Sequence, residues 1–409
     1  QELMERAIHL SILRDPAIGC RFIEINNRPY WQERADIDGL QLCTAFTSND
    51  LEADVMRYVT TPSDPAIDPL VSARIFNGPE DDVLCIKVNH VLADGAGSKE
   101  AAYLIADTYS KLEANPAYIP AKSNFKPRGQ SAILRRVGLI NLIKYRPRTF
   151  SLPRPLFELP FGSNQRQERS FIIRQIKPEI FKALKDFGKA HQATVNDLIL
   201  TAYYRSLCME ADPPAGAPLP LQVSIDLRHF LPANHEQRIC NLSGALFPAI
   251  SYTPGESFTQ TLESVCQKMA HWKSRQPGLT GSIIMELAML QGFQKARQAI
   301  EKMVPSQGNR VNPLLLSNFG LLDNKRLVFG CMRVKDAFEL GPVMFKQGLM
   351  LTASTYNDRL TLASGFCKEN ISAEIIEGLI QRVVDELSGL VSETLTVPAR
   401  STVFTRPVQ

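Results

Sequence analysis

Residues 83–98 read Val83-Leu-Cys-Ile-Lys-Val88-Asn89-His90-Val-Leu-Ala-Asp94-Gly95-Ala-Gly97-Ser98. The run 83–88 is apolar and rich in β-branched side chains with one charge, the pattern of a mostly buried strand. Ser98 can cap a following helix that carries Glu100 in its first turn and Ala101, Ala102, Leu104, Ile105 and Tyr109 at helical spacing. Asp94-Gly95 and Gly97 supply turn residues between strand and helix. His90 therefore stands where a buried strand gives way to a turn, a position from which side chains reach clefts. A histidine there suits a general base, because its ordinary pKa lies near neutrality.

Working outward, 409 residues exceed one ordinary core, so two domains are expected. A hydrophobic content of 44% and a charged content of 22% are those of a globular protein. The net charge of +4 does not argue for nucleic acid as a partner. The cysteines at 20, 43, 85, 208, 240, 266, 331 and 367 are scattered, with no C-x-x-C and no short Cys/His metal-ligand spacing. Neither a zinc site nor a disulfide framework is expected, and a reducing cytoplasm fits. No apolar run is long enough to span a bilayer, and no signal peptide is read. The chain opens with Gln1 in a helical pattern, so a native start further upstream is expected.

Upstream, Leu3 to Leu13 form an amphipathic helix that Asp15-Pro16 ends. Strands follow at Cys20–Ile25, around Tyr30-Trp31-Gln32 and at 71–76, giving an α/β lobe with a sheet of mixed direction. Between Lys122 and Arg169 eleven Lys or Arg residues face only Glu158 and Glu168. Residues 131–145 of that stretch form a basic amphipathic helix, and Pro147, Pro153, Pro155 and Pro160 stiffen the remainder. Its apolar face packs on the first lobe in one reading. In the other it meets a membrane surface or an acidic partner, such as lipid, CoA phosphates or a carrier protein.

A second lobe begins at a strand over 170–176, followed by a helix with Pro178 at its start and Ile180, Phe181, Leu184 and Phe187 on its buried face. In Thr194-Val-Asn196-Asp197-Leu-Ile-Leu, Thr194 is an N-cap and Asp197 a first-turn carboxylate; Asn196 and Asp197 are read as capping groups. A strand over 219–225 runs into Asp226-Leu227-Arg228. Helices are expected at 257–274 and 282–303, a strand over 314–320, hairpin strands at 343–354 and 359–366, and a closing helix over 372–391. The resulting division is 1–121, a basic linker 122–169, 170–397, and a loose tail 398–409.

His90-x-x-x-Asp94-Gly95, preceded by Asn89, resembles the signature of the chloramphenicol acetyltransferase-like superfamily, which includes condensation domains, alcohol acetyltransferases, wax-ester synthases and plant BAHD acyltransferases. The 14–22 segment "RDPAIGCRF" resembles the opening of condensation domains, and "TVNDLIL" a helix start in the wax-ester synthase and alcohol acetyltransferase branches. Asn241 to Pro248 resembles the family's G-x-F-x-N strand, with Gly244 aligned and Ala249 in place of the later Asn. Ser317-Asn318-Phe319-Gly320 resembles an S-N-x-G element, and the D-F-G-W-G motif of BAHD enzymes is missing.

The resemblance implies an α/β fold of two chloramphenicol acetyltransferase-like lobes, each a mixed sheet with helices, with an active-site tunnel at their interface. It implies that His90 and Asp94 form the catalytic motif, His90 as base and Asp94 holding the loop, with Arg228 pairing with Asp94 across the lobes. Asn89 and Gly95 complete the motif. Ser317, Asn318 and Gly320 are expected to line the substrate channel, with a turn in which Asn318 bonds its own backbone as the other reading. His229, next to Arg228, is a second candidate. The implied reaction moves an acyl group from acyl-CoA, a co-substrate, to an alcohol or amine, with no metal and no bound cofactor. Wax-ester synthases and condensation domains carry two histidines where this chain has Asn89-His90, whereas BAHD enzymes frequently have Asn there. A condensation enzyme fed by an acyl carrier protein and a non-catalytic binding protein remain as alternatives.

Overall fold

The computed structural model describes residues 1–126, 128–138, 159, 168–231, 239–251, 253–275, 278, 279, 281, 283, 289, 292–303, 314–344 and 348–396. The expected tail 398–409 and residues 139–145 of the basic helix lie outside them.

The first lobe begins with a helix over Glu2–Arg14, followed by β1 (Cys20–Ile25) and β2 (Arg28–Glu33). Asn26 and Asn27, at φ 50° and 62°, close this hairpin, as a two-residue turn that follows strand twist requires. A three-stranded sheet is built from β3 (Cys43–Thr47), β4 (Val71–Asn77) and β5 (Val83–Val88). β3 runs parallel to β4 and β5 antiparallel to it. One face of this sheet packs on the first helix and on the Gly95–Ala114 helix, around Ile8, Leu42, Val71, Ala73 and Ile105.

The second lobe carries seven strands: β6 (Arg169–Ile176), β7 (Pro218–Asp226), β8 (Ser243–Leu246), β9 (Ala249–Ser251), β10 (Leu314–Leu321), β11 (Met350–Tyr356) and β12 (Arg359–Cys367). Their order is β6-β12-β11-β10-β7-β8, with β9 also on β7. β10 is parallel to β7 and β11, and the other pairs are antiparallel, so this sheet is mixed too. Eight of the nine β12 residues are buried, which explains their near-continuous apolar reading. The Val195–Ala211 helix passes through the core with Tyr203 and Tyr204 fully buried. It starts on a capping box in which Thr194 Oγ1 accepts the Asp197 N–H at 3.2 Å and Asp197 Oδ2 accepts the Thr194 N–H at 2.9 Å. The Ala373–Thr396 helix closes the lobe.

Several boundaries differ from the sequence reading. The basic helix runs only from Ser131 to Val137, because Gly138 at φ 80° turns the chain out of helical geometry. Within the helix expected over 282–303, Ile283 and Met289 are helical, and Gly292 at φ 92° sets them apart from the Phe293–Met303 helix. The strand expected from 343 begins at Met350. Gly341 lies flat on the sheet before it, where a Cβ would stand 2.4 Å from the Met350 methyl. Residues 322–334 belong to the second half by position yet pack on the first lobe: Leu327, Phe329 and Val334 join its core, and the Gly330 N–H donates to Ser110 Oγ at 2.9 Å. No helix among the described residues is long and apolar enough to cross a membrane.

Candidate active site

β5 ends at Val88, and Asn89 shapes the exit. Its Oδ1 accepts the Val91 N–H at 3.1 Å, and its Nδ2 donates to Ser63 Oγ at 2.9 Å. His90 is exposed, and among the described residues its ring has no hydrogen-bond partner. Its main chain, by contrast, is fixed from the second lobe: Asn241 Nδ2 donates to His90 O at 2.8 Å and to Val91 O at 3.0 Å. The sequence reading placed Asn241 only at the head of a strand motif and gave it no role at the site.

Asp94 is 5% exposed. Its Oδ1 accepts the Gly97 N–H at 2.8 Å, so Asp94, and not the expected Ser98, caps the helix that begins at Gly95. Arg228 reaches the same carboxylate from the second lobe in a two-pronged contact, Nη2–Oδ1 2.8 Å and Nη1–Oδ2 3.1 Å. The Leu242 N–H adds a fourth donor at 2.7 Å. Arg228 also donates to Asp226 Oδ1 at 2.9 Å and to Cys240 O at 2.7 Å. Burial pulls its pKa down, but the hydrogen bonds and charge of Asp94, with Asp226, outweigh that and leave it above the ordinary arginine value. A carboxylate this buried is tolerable because its charge and lone pairs are all met.

Gly95 and Gly97 lie inside the helix rather than in a turn, and packing explains them. A Cβ at Gly95 would stand 2.2 Å from the Phe319 ring, and one at Gly97 would stand 2.8 Å from the Cys240 carbonyl. The end of β10 thus lies against the first turn of the helix. Asn318 Oδ1 accepts the Gly320 N–H at 2.9 Å around a bulge in which Gly320 has φ 72°, so its oxygen is spent on its own backbone. Ser317 and Asn318 make no hydrogen bond to His90 or Asp94 among the described residues.

Lys99 donates to the Phe319 carbonyl, and Ser98 Oγ to Glu339 Oε1, so this contact is tied by side chains from both sides. Burial raises the Glu339 carboxyl well above the usual carboxylate range, against the opposing effects of the Ser98 hydroxyl and Lys99. None of this cluster was read from the sequence.

Arg128, one of the linker's eleven basic residues, has a side chain only 7% exposed. It holds Asp15 Oδ1 at 3.2 Å and Leu92 O at 2.7 Å, donates to Ile239 O, and lies over Trp31 at 4.9 Å. His229 is exposed, lies tilted against Phe230 and reaches Asp226 O at 2.5 Å, turned to its own segment rather than to the motif. Beside the site, burial pushes the Cys240 thiol up to about 11, which keeps it protonated and a weak nucleophile. Among the described residues no group of three His, Cys, Asp or Glu could hold a metal ion.

No protein-family model and no curated protein sequence matches the chain. Solved structures do. The first condensation domain of the CDA synthetase aligns over 96% of this chain and 88% of its own, with TM-score 0.66 and 15% identity. The TRI3 trichothecene 15-O-acetyltransferase of Fusarium sporotrichioides aligns over 95% and 85%, with TM-score 0.68 and 13% identity. The epimerization domain from the third module of tyrocidine synthetase B aligns over 96% and 88%, with TM-score 0.63 and 14% identity. At this identity the likeness establishes architecture: the chain has the two-lobed fold of condensation domains.

Proposed function

We propose that the protein is an acyltransferase that moves an acyl group from a thioester donor, acyl-CoA, to an alcohol or amine acceptor. The observation that carries this reading is His90. Its ring is open to solvent at the end of β5, while its main chain is clamped by Asn241 and its loop by the Asp94–Arg228 pair. A base with an accessible ring on a fixed backbone is what proton abstraction from a docked hydroxyl or amine needs.

In the proposed reaction, neutral His90 accepts the acceptor's proton as the oxygen or nitrogen attacks the thioester carbonyl. The tetrahedral oxyanion draws hydrogen bonds from the Ser317 hydroxyl, the Asn318 amide nitrogen and main-chain N–H groups in a passage between the lobes. Collapse expels the thiolate, and the imidazolium returns its proton to that sulfur. Asp94 moves no proton; it is a positioning group. Direct transfer fits the neighbourhood of the motif, where the Cys240 thiol is buried.

A carrier-protein donor is the second reading, favoured by the likeness to a condensation domain. Partner contact through residues 131–145 and a cytoplasmic or membrane-surface location belong to the proposal as well.

The test is release of free CoA from a panel of acyl-CoAs with alcohol and amine acceptors. Parent protein turns over, and His90→Ala loses about 100-fold or more in kcat with an unchanged melting temperature. Undiminished turnover in His90→Ala removes the base assignment. Turnover only with an acyl-carrier protein selects the second reading, and no turnover with either donor favours a binding protein.

A further inference from the structure

The first sheet has a second face, turned away from its lobe's core, and that face is charged. The register pairs Thr44 with Arg74 and Phe46 with Phe76, and sets Lys87 beside Ser72. The Leu51–Thr60 helix covers this face, and Tyr58 lies 4.6 Å from the Arg74 guanidinium and 4.3 Å from Lys87 Nζ. Between helix and sheet is a cavity of about 150 Å³ lined by Phe46, Tyr58, Phe76, Arg57, Arg74 and Asp54. The rings meet edge to face, Phe46–Phe76 at 6.3 Å and Tyr58–Phe76 at 6.0 Å.

The charges in this cavity do not balance. The Asp54 carboxylate is already taken by Arg57 at 2.8 Å and by the Ser48 hydroxyl at 2.7 Å. Lys87, beside Tyr58 though not part of the lining, donates among the described residues only to main-chain carbonyls, Tyr58 O at 2.6 Å and Thr61 O at 2.9 Å. Burial and the nearby Arg74 charge pull the Lys87 pKa down to about 8. Arg74 spends its Nε on Thr44 Oγ1 at 2.9 Å and has no carboxylate partner among the described residues. The other inward-facing arginines differ: Arg128, Arg205 and Arg228 each hold a carboxylate. A half-buried guanidinium lining a cavity walled partly by aromatic rings is a site for an anion on a flat apolar body. The volume falls below the roughly 300 Å³ of a drug-sized pocket, so one ring with its charged group fills it.

We infer that this cavity binds a small aromatic carboxylate. The carboxylate lies between Arg74 and Arg57, and the ring packs on Phe46. The covering helix also packs against β6, so the occupant sits beside the contact between the first lobe and the edge of the large sheet. The inference is independent of the acyl-transfer reading, because its readout is equilibrium binding.

Calorimetric titration of the full chain with benzoate, acetate, benzyl alcohol and inorganic phosphate tests it. Benzoate is expected to bind one-to-one, and the other three at least about fivefold more weakly, since each lacks the ring or the carboxylate. Arg74→Met and Phe46→Ala are each expected to weaken benzoate about tenfold or more. Phe46 is 48% exposed, so its replacement leaves the fold intact and decides the matter if Arg74→Met melts early. Absence of benzoate binding, equal affinity in parent and variants, or phosphate binding as tightly as benzoate overturns the inference.

Discussion

Two arginines fasten the same short segment, residues 239–242, to the turn after β5, and they do so in different ways. Arg228 takes the Cys240 carbonyl and grips Asp94 with both prongs, with Asp226 as a second carboxylate. Arg128 takes the neighbouring Ile239 carbonyl and Leu92 O, and pairs with Asp15 through a contact of 3.2 Å. Burial wins at Arg128, whose pKa is lowered, whereas carboxylates win at Arg228, whose pKa is raised. The first clamp is an ion pair that carries carbonyls along; the second leans on neutral acceptors. A charge that is fully matched fixes geometry, while one matched in part mainly fills and ties a seam.

The largest effect is expected when the matched clamp is broken. Arg228→Met strands Asp94 as a buried charge and should cost about 3 kcal/mol in urea unfolding, with a fall in kcat for the proposed acyl transfer by the folded protein. A loss below about 1 kcal/mol would mean the pair is ornamental. Arg128→Met should cost less, about 1–3 kcal/mol, because two of its acceptors are carbonyls. Since both arginines hold the same segment, the double variant should deviate from additivity by at least about 0.5 kcal/mol; strict additivity would show that the clamps act separately.

The smallest effect concerns Glu339, a third buried carboxylate at this junction, whose hydrogen-bond donor is the Ser98 hydroxyl and which faces Lys99 and, further off, Asp94. Its folded-state pKa is raised. The stability it contributes is therefore present below the unfolded value and lost as pH rises through the folded one. Glu339→Gln should escape that loss, so its melting temperature relative to parent rises by roughly 2 °C or more between pH 5 and pH 9. A pH-independent difference would refute the assignment.

The residues that could be read in advance are those whose chemistry is local or tied to a motif. Thr194 and Asp197 bond each other, so three positions of sequence contain their whole role. Asp94 and Arg228 were legible only because the surrounding pattern resembles a family in which they pair. Arg128, Glu339 and Asn241 were not legible: each acts on a partner from a distant part of the chain, and a cation among linker lysines looks like solvated surface. The misassigned cap has the same origin. Ser98 and Asp94 are both good caps, and packing of Gly95 and Gly97 against the other half decided between them.

That packing has a consequence for how the halves can move. Phe319 rests on the bare α-carbon of Gly95 with no room for a single methyl between them. Any rocking of the lobes that widens a passage beside His90 must therefore pivot about this touch or slide the ring along the helix, as a hinge pin allows rotation but no gap. The last letter of the histidine motif, apparently a local choice, records how closely two distant stretches of chain must ride on one another.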